Sequence, residues 1–156
     1  MSSPTELPAV RRARWSASAI FLIFGLTAGL WFVHIPLVAA RLALEPAVLG
    51  LALLCFGLGS LIFQPITGLI VGRLGSQRAT QIFVVAILVA IPVVINAVGT
   101  GMLFACLFAA GAVGGALNVS VNTQASGVEN ARGRPTMSAF HGFFSLGILV
   151  ASLTGG

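Results

Sequence analysis

The stretch GLIVGRLGSQR, residues 68–78, puts two arginines, Arg73 and Arg78, between two long apolar runs. The run before it covers about residues 46–71 and the run after it about 79–98. Each reaches the roughly 20 apolar residues that a helix needs to cross a bilayer. Cationic turns between such runs are retained on the cytoplasmic side. Working outward, the same device recurs. Arg11, Arg12 and Arg14 precede the first run, and Arg132 and Arg134 separate the fourth from the fifth. Only Arg41 lies on the opposite side, and the chain has no lysine. An arginine at the bilayer centre costs about 2.5–3.5 kcal/mol on insertion scales. The asymmetry therefore predicts a cytoplasmic N-terminus, with the first and fifth helices running outward.

Composition agrees. The chain is 58% hydrophobic and 7% charged, with a mean hydropathy of +1.07. A soluble domain carries about 25% charged residues. So few charges could not cover a water-exposed surface, and the class is a multi-pass integral membrane protein with the lipid bilayer as its main partner. The net charge of +5 is not a nucleic-acid signal, because the arginines sit at run ends and form no docking face. Cys55 and Cys106 lie inside apolar runs and read as small hydrophobes. Neither they nor His34 and His141 have metal-ligand spacing, and no cofactor motif is present. No nucleophile–base pair points to an enzyme. The first run is too long for a signal-peptide core and is expected to be a retained helix.

Five transmembrane helices are predicted, at about residues 16–40, 46–71, 79–98, 102–127 and 136–156. Residues 1–15, with Pro4 and Pro8, are expected to form a disordered cytoplasmic tail. The last run reaches Gly156 with no polar tail after it. The expectation is therefore a fragment of a longer protein, whose remaining helices would be further partners.

At 100° per residue, polar and small residues align in stripes. Thr27, Trp31 and His34 share a face of the first helix, with Arg41 at its outer end. Gly50, Gly57, Gln64 and Gly68 align in the second. Gly111, Gly115, Asn118 and Asn122 align in the fourth, and Ser138, His141, Ser145 and Ser152 in the fifth. The third is apolar from Ile82 to Ile95 and reads as a helix facing lipid. Small residues let membrane helices approach closely, which accounts for Gly111 and Gly115. The bulkier polar groups carry a second reading. Trp31, His34, Gln64, Asn118, Asn122 and His141 are candidates to line a solute cavity, since polar groups in a span are costly unless paired or wetted. Helix–helix hydrogen bonding is the competing account for the asparagines. Snorkelling competes for His34, and interfacial anchoring is the usual role of tryptophan.

The turn at residues 68–78 resembles the cytoplasmic loop signature of the major facilitator superfamily. Gly68, Arg73, Gly75 and Arg78 fit that signature. Gly72 stands where the family usually has an acid, and Ser76 where it has a basic residue. The stretches GALNVSVNTQASGVE and GRPTMSAFHGFFSLG resemble a bacterial branch related to the fucose–proton symporters. The resemblance implies an all-α fold of twelve helices in two bundles of inverted repeats, of which this chain would hold part of the N-terminal bundle. It implies substrate bound at the midplane, with the first and fourth helices lining the cavity and the third facing lipid. It also implies that the loop charges latch the cytoplasmic side, a relay that Gly72 in place of the acid would break. Close packing at Gly68 and a tight reversal at Gly75 would survive that loss.

The leading expectation is a secondary transporter of a small polar solute, a sugar among the candidates, working by alternating access. No carboxylate lies in any span, so a coupling proton would have to use a histidine or a segment outside this chain. An exporter of drugs or metabolites from the same superfamily is the first alternative. The fifth helix lacks the glycine–proline pair such exporters usually carry. A membrane fragment that transports nothing, or serves as an assembly partner, is the second.

Overall fold

The computed structural model describes residues 7–155. Among these residues five helices make up the fold: α1 (Pro8–Arg41), α2 (Pro46–Leu74), α3 (Ser76–Ile95), α4 (Thr100–Arg132) and α5 (Met137–Thr154). All five are long and apolar enough to cross a membrane. The protein is an all-α, multi-pass membrane protein, as its composition requires.

Several boundaries differ from expectation; α4, for one, runs to Arg132 rather than to about 127, so Glu129 and Arg132 are helical and the loop before α5 contracts to residues 133–136. Helix α1 begins at Pro8, so residues 8–15 are helical rather than part of a tail, and residues 1–6 lie outside the described residues. Pro8 occupies a first-turn position, where its missing N–H is not needed, and the alanines and arginines after it are good helix formers. A helix of 34 residues is about 51 Å long and overruns a hydrocarbon core of about 30 Å. The overrun carries Arg11, Arg12 and Arg14. Likewise the loop expected at residues 72–78 contracts to Gly75 alone, with Arg73 in the last turn of α2 and Arg78 in the first turn of α3. Gly75 has φ +81° and ψ 151°, a conformation essentially reserved for glycine, so the expected tight reversal is there. The expected close packing at Gly68 is not: nothing lies near the position of a Cβ there.

The packing order is not the chain order. The most extensive contacts join α1 to α5 and α2 to α4, with α3 laid against α4. Both main pairs run parallel, since contacts advance together along the two chains. In one pair Gly25 meets Phe144 and Gly29 meets Ile148 and Ala151. In the other Phe56 meets Gly111 and Ser60 meets Gly115. A Cβ at Gly25 would fall on the Phe144 carbonyl oxygen, and one at Gly111 on the Phe56 carbonyl oxygen. Gly59 meets the Phe108 carbonyl and Gly147 the Leu22 carbonyl in the same way. Backbones touch because side chains are missing on both sides of each seam.

Helix α3 buries Ile87, Ile91 and Val94 and exposes Ile82, Val85, Leu88, Val89 and Val93. It presents one face to the protein and the other to lipid. Helix α2 is the less buried of the two, holding in only Ala52, Gly59 and Thr67.

Two charged side chains tie helix ends together. The Arg41 guanidinium at the end of α1 donates to the carbonyls of Ile95 and Ala97, the second at 2.9 Å, at the C-terminus of α3. The Glu129 carboxylate near the end of α4 accepts from the N–H groups of Thr136 (2.6 Å) and Met137 (2.7 Å), at the start of α5. A cation at a helix C-terminus and an anion at an N-terminus both satisfy orphan backbone groups and oppose the helix dipole.

Candidate solute-binding site

Where the seams diverge, the five helices leave a pocket of about 240 Å³. It sits near the middle of the spans, with Phe24, Thr27 and Trp31 from α1 on one side and Phe56 and Ser60 from α2 on another. Ile87 and Ile91 of α3, Gly114 and Asn118 of α4, and Phe144 of α5 complete the wall. The lining is aromatic and aliphatic, with three polar side chains and no charged one. An apolar pocket with a few placed polar groups is the usual form of a small-molecule site.

Of the six candidate cavity residues, two line this pocket, Trp31 and Asn118. Trp31 is only 4% exposed, so it is part of the wall rather than an interfacial anchor. Trp15 is the exposed tryptophan, with the Arg14 guanidinium 5.0 Å from its ring centroid. Asn122 is one turn from Asn118 and bonded to it: its amide nitrogen donates to the Asn118 carbonyl (2.7 Å) and to Asn118 Oδ1 (2.9 Å). Gln64 is also one step removed, donating to Ser60 Oγ at 3.1 Å. The packing reading and the cavity reading of these polar groups thus meet in one network.

The histidines stand apart from the pocket. The His34 Nδ1 lies 2.8 Å from the Leu30 carbonyl. A carbonyl only accepts, so Nδ1 carries the proton and Nε2 is left as an acceptor. His141 is exposed on α5, its ring edge-on to Phe21 at 5.3 Å. Its stripe partners Ser138, Ser145 and Ser152 are exposed with it. Arg41 is not a free charge at a cavity rim, because its guanidinium is engaged by the end of α3. The turn residues Gly68, Gly72, Arg73, Gly75 and Arg78 are all exposed and remote from the pocket lining.

The sequence reading missed Ser60 and the ring wall of Phe24, Phe56 and Phe144. Ser60 was detectable, one helical turn before Gln64 on the same face. The phenylalanines carried no distinguishing signal in a chain with 11 of them. The Gly25–Gly29 pair was also legible, at the four-residue spacing that brings membrane helices together.

Fold and site define a multi-pass helical membrane protein with a partly open pocket lined by residues from all five helices. Over 138 residues the chain is 34% identical to an uncharacterized MFS-type transporter of Yersinia pestis, a match covering 88% of this chain and 36% of that protein. It is 36% identical over 138 residues to an uncharacterized transporter of Sinorhizobium fredii, covering 88% of this chain and 37% of the relative. Both relatives are named as transporters, the first of them as one of the MFS type. The chain spans about a third of the length of the curated relatives it matches. No family model matches it, and no solved structure does.

Proposed function

We propose that the chain forms part of the N-terminal bundle of a secondary transporter that moves a small uncharged polar solute by alternating access. The carrying observation is the pocket itself, placed at mid-span, walled by rings and holding Trp31 and Asn118. Binding near the midplane lets a solute be reached from either side as the helices rock around it. Trp31 offers a flat face on which a ring can stack, which keeps sugars among the candidates and is compatible with a kinship to the fucose–proton symporter branch. The lining has no charge, so a charged solute would shed its hydration shell without an ionic partner. In this reading the protein lies in a bacterial inner membrane with its N-terminus in the cytoplasm, where Arg11, Arg12, Arg14, Arg73, Arg78, Arg132 and Arg134 remain. A coupling proton would engage His34 at Nε2 or His141, or a segment outside this chain.

Uptake of labelled neutral sugars and other uncharged solutes into vesicles from cells producing the protein tests this reading. Trp31→Ala and Asn118→Leu are expected to lower saturable uptake at least ten-fold while the protein stays in the membrane. Full uptake by both variants would sink it.

A further inference from the structure

The polar groups of the pocket are not interchangeable, because their hydrogen bonds fix which atoms remain for a ligand. The chain of assignments starts at a backbone group. The Asn118 carbonyl can only accept, so the Asn122 atom 2.7 Å from it is the amide nitrogen. That same nitrogen lies 2.9 Å from the Asn118 side chain, which must therefore turn its oxygen toward it. The Asn118 NH₂ is then the half of the amide left over. Ser60 accepts from Gln64 and so keeps its own O–H to donate. Thr27 has spent its hydroxyl proton on the Phe24 carbonyl at 2.8 Å, and only its oxygen remains. Two of the three polar side chains in the lining thus offer donors.

Resting on the reading of this pocket as a solute site, we infer that Asn122 is a positioning residue. It fixes the Asn118 amide so that the pocket recognises an uncharged, ring-shaped solute through a hydrogen-bond acceptor on that solute. Asn122 lies outside the lining and acts only through Asn118. Without it the Asn118 amide could flip over and present its oxygen instead, and the preference would vanish while the pocket stayed open. The effect scales with one neutral hydrogen bond, about three- to ten-fold in affinity.

The test uses three bicyclic probes of similar shape: coumarin, which only accepts; indole, which donates through its N–H; and naphthalene, which does neither. Binding to the full chain in detergent micelles is measured by equilibrium dialysis against empty micelles. Coumarin should bind three- to ten-fold more tightly than indole or naphthalene. Asn122→Ala should bring coumarin and indole within two-fold of each other. Asn118→Leu, which preserves bulk, should narrow the coumarin preference to what the Ser60 hydroxyl alone supports and keep apolar binding. Saturable binding without a coumarin preference would overturn the inference and leave the solute pocket standing, as would an unchanged preference in Asn122→Ala. If no probe binds above empty micelles, the pocket reading falls together with the inference.

Discussion

The two main helix pairs solve the same packing problem with different materials. The seam of α1 with α5 combines backbone contact at Gly25, Gly29 and Gly147 with rings. Phe21 stacks on Phe140 at 5.6 Å, and Phe24 meets Phe144 edge-on at 5.3 Å. The seam of α2 with α4 has the same backbone contact at Gly59, Gly111 and Gly115 but one loose ring pair, Phe63 with Phe108 at 6.5 Å. Lipid tails are as apolar as leucine, so membrane helices gain little from burying leucine and much from fitting together. Glycine contact is therefore common to both seams, and close ring contacts are an addition to one. Exchanging the first helix with the fourth and the second with the fifth carries one pair onto the other.

The most direct challenge to this contrast is to put bulk into each seam. A leucine at Gly111 collides with the Phe56 carbonyl, a backbone atom that cannot swing aside. Overpacking typically costs about 1–3 kcal/mol and occasionally more, and this case belongs at the upper end. Gly111→Leu is expected to abolish the monodisperse species in detergent gel filtration. Gly25→Leu should do the same more mildly, because the ring contacts of its seam can persist. Gly57→Leu is the control, with open space around it and an expected change within about 0.5 kcal/mol. Equal damage at all three positions would remove the close approach as the cause.

Next in size is the ring stack that only one seam possesses. Phe140 is 1% exposed. In a soluble core, Phe→Ala costs about 3–5 kcal/mol. Here lipid rather than water is the reference medium, so the transfer part largely cancels and the lost packing remains. Phe140→Ala should cost about 2 kcal/mol by thermal unfolding in micelles. Phe108→Ala, from the looser pair, should cost less. The reverse order would mean that rings matter more to the α2·α4 seam than its looser ring geometry implies.

The Arg41 clamp between the ends of α1 and α3 comes third. Arg41→Ala frees the Ile95 and Ala97 carbonyls, but Arg41 is exposed and water can replace it. The expected loss is about 1 kcal/mol, the range for a surface cation at a helix C-terminus, and Arg41→Lys should recover part of it. Thermal unfolding at low and high salt checks both, with the difference shrinking in high salt.

How legible each feature was depends on the kind of signal it leaves. Spans were readable because a bilayer demands about 20 apolar residues and keeps arginines out. Close packing at Gly111 and Gly115 was readable because four-residue spacing is a local property of one helix. The partner of each helix was not, because nothing in α1 says that it meets α5 rather than α2. For the same reason the pocket was half legible. Trp31 and Asn118 stand out as polar or amphipathic residues in apolar runs, whereas Phe24, Phe56 and Phe144 become a wall only when three helices converge. His34 and His141 were equally conspicuous in sequence, yet neither lines the pocket. Arg41 broke the arginine pattern for a reason located 54 residues away, at Ile95.

The smallest predicted effect concerns the Glu129 clamp, and its value lies in being local. The Glu129 carboxylate holds the first N–H groups of α5 from the last turns of α4, two helices that otherwise touch little. In Glu129→Gln the side-chain amide would keep one acceptor oxygen but lose the charge that strengthens both bonds and suits a helix N-terminus. The α1·α5 seam meanwhile holds α5 along its length. The substitution should therefore leave the melting temperature in micelles nearly unchanged and speed amide hydrogen exchange at Thr136 and Met137. Phe140 and Phe144, already held by the seam, should keep their protection. Exchange rising along the whole of α5 would show that the seam depends on this clamp, and that the two pairs are less independent than their packing suggests.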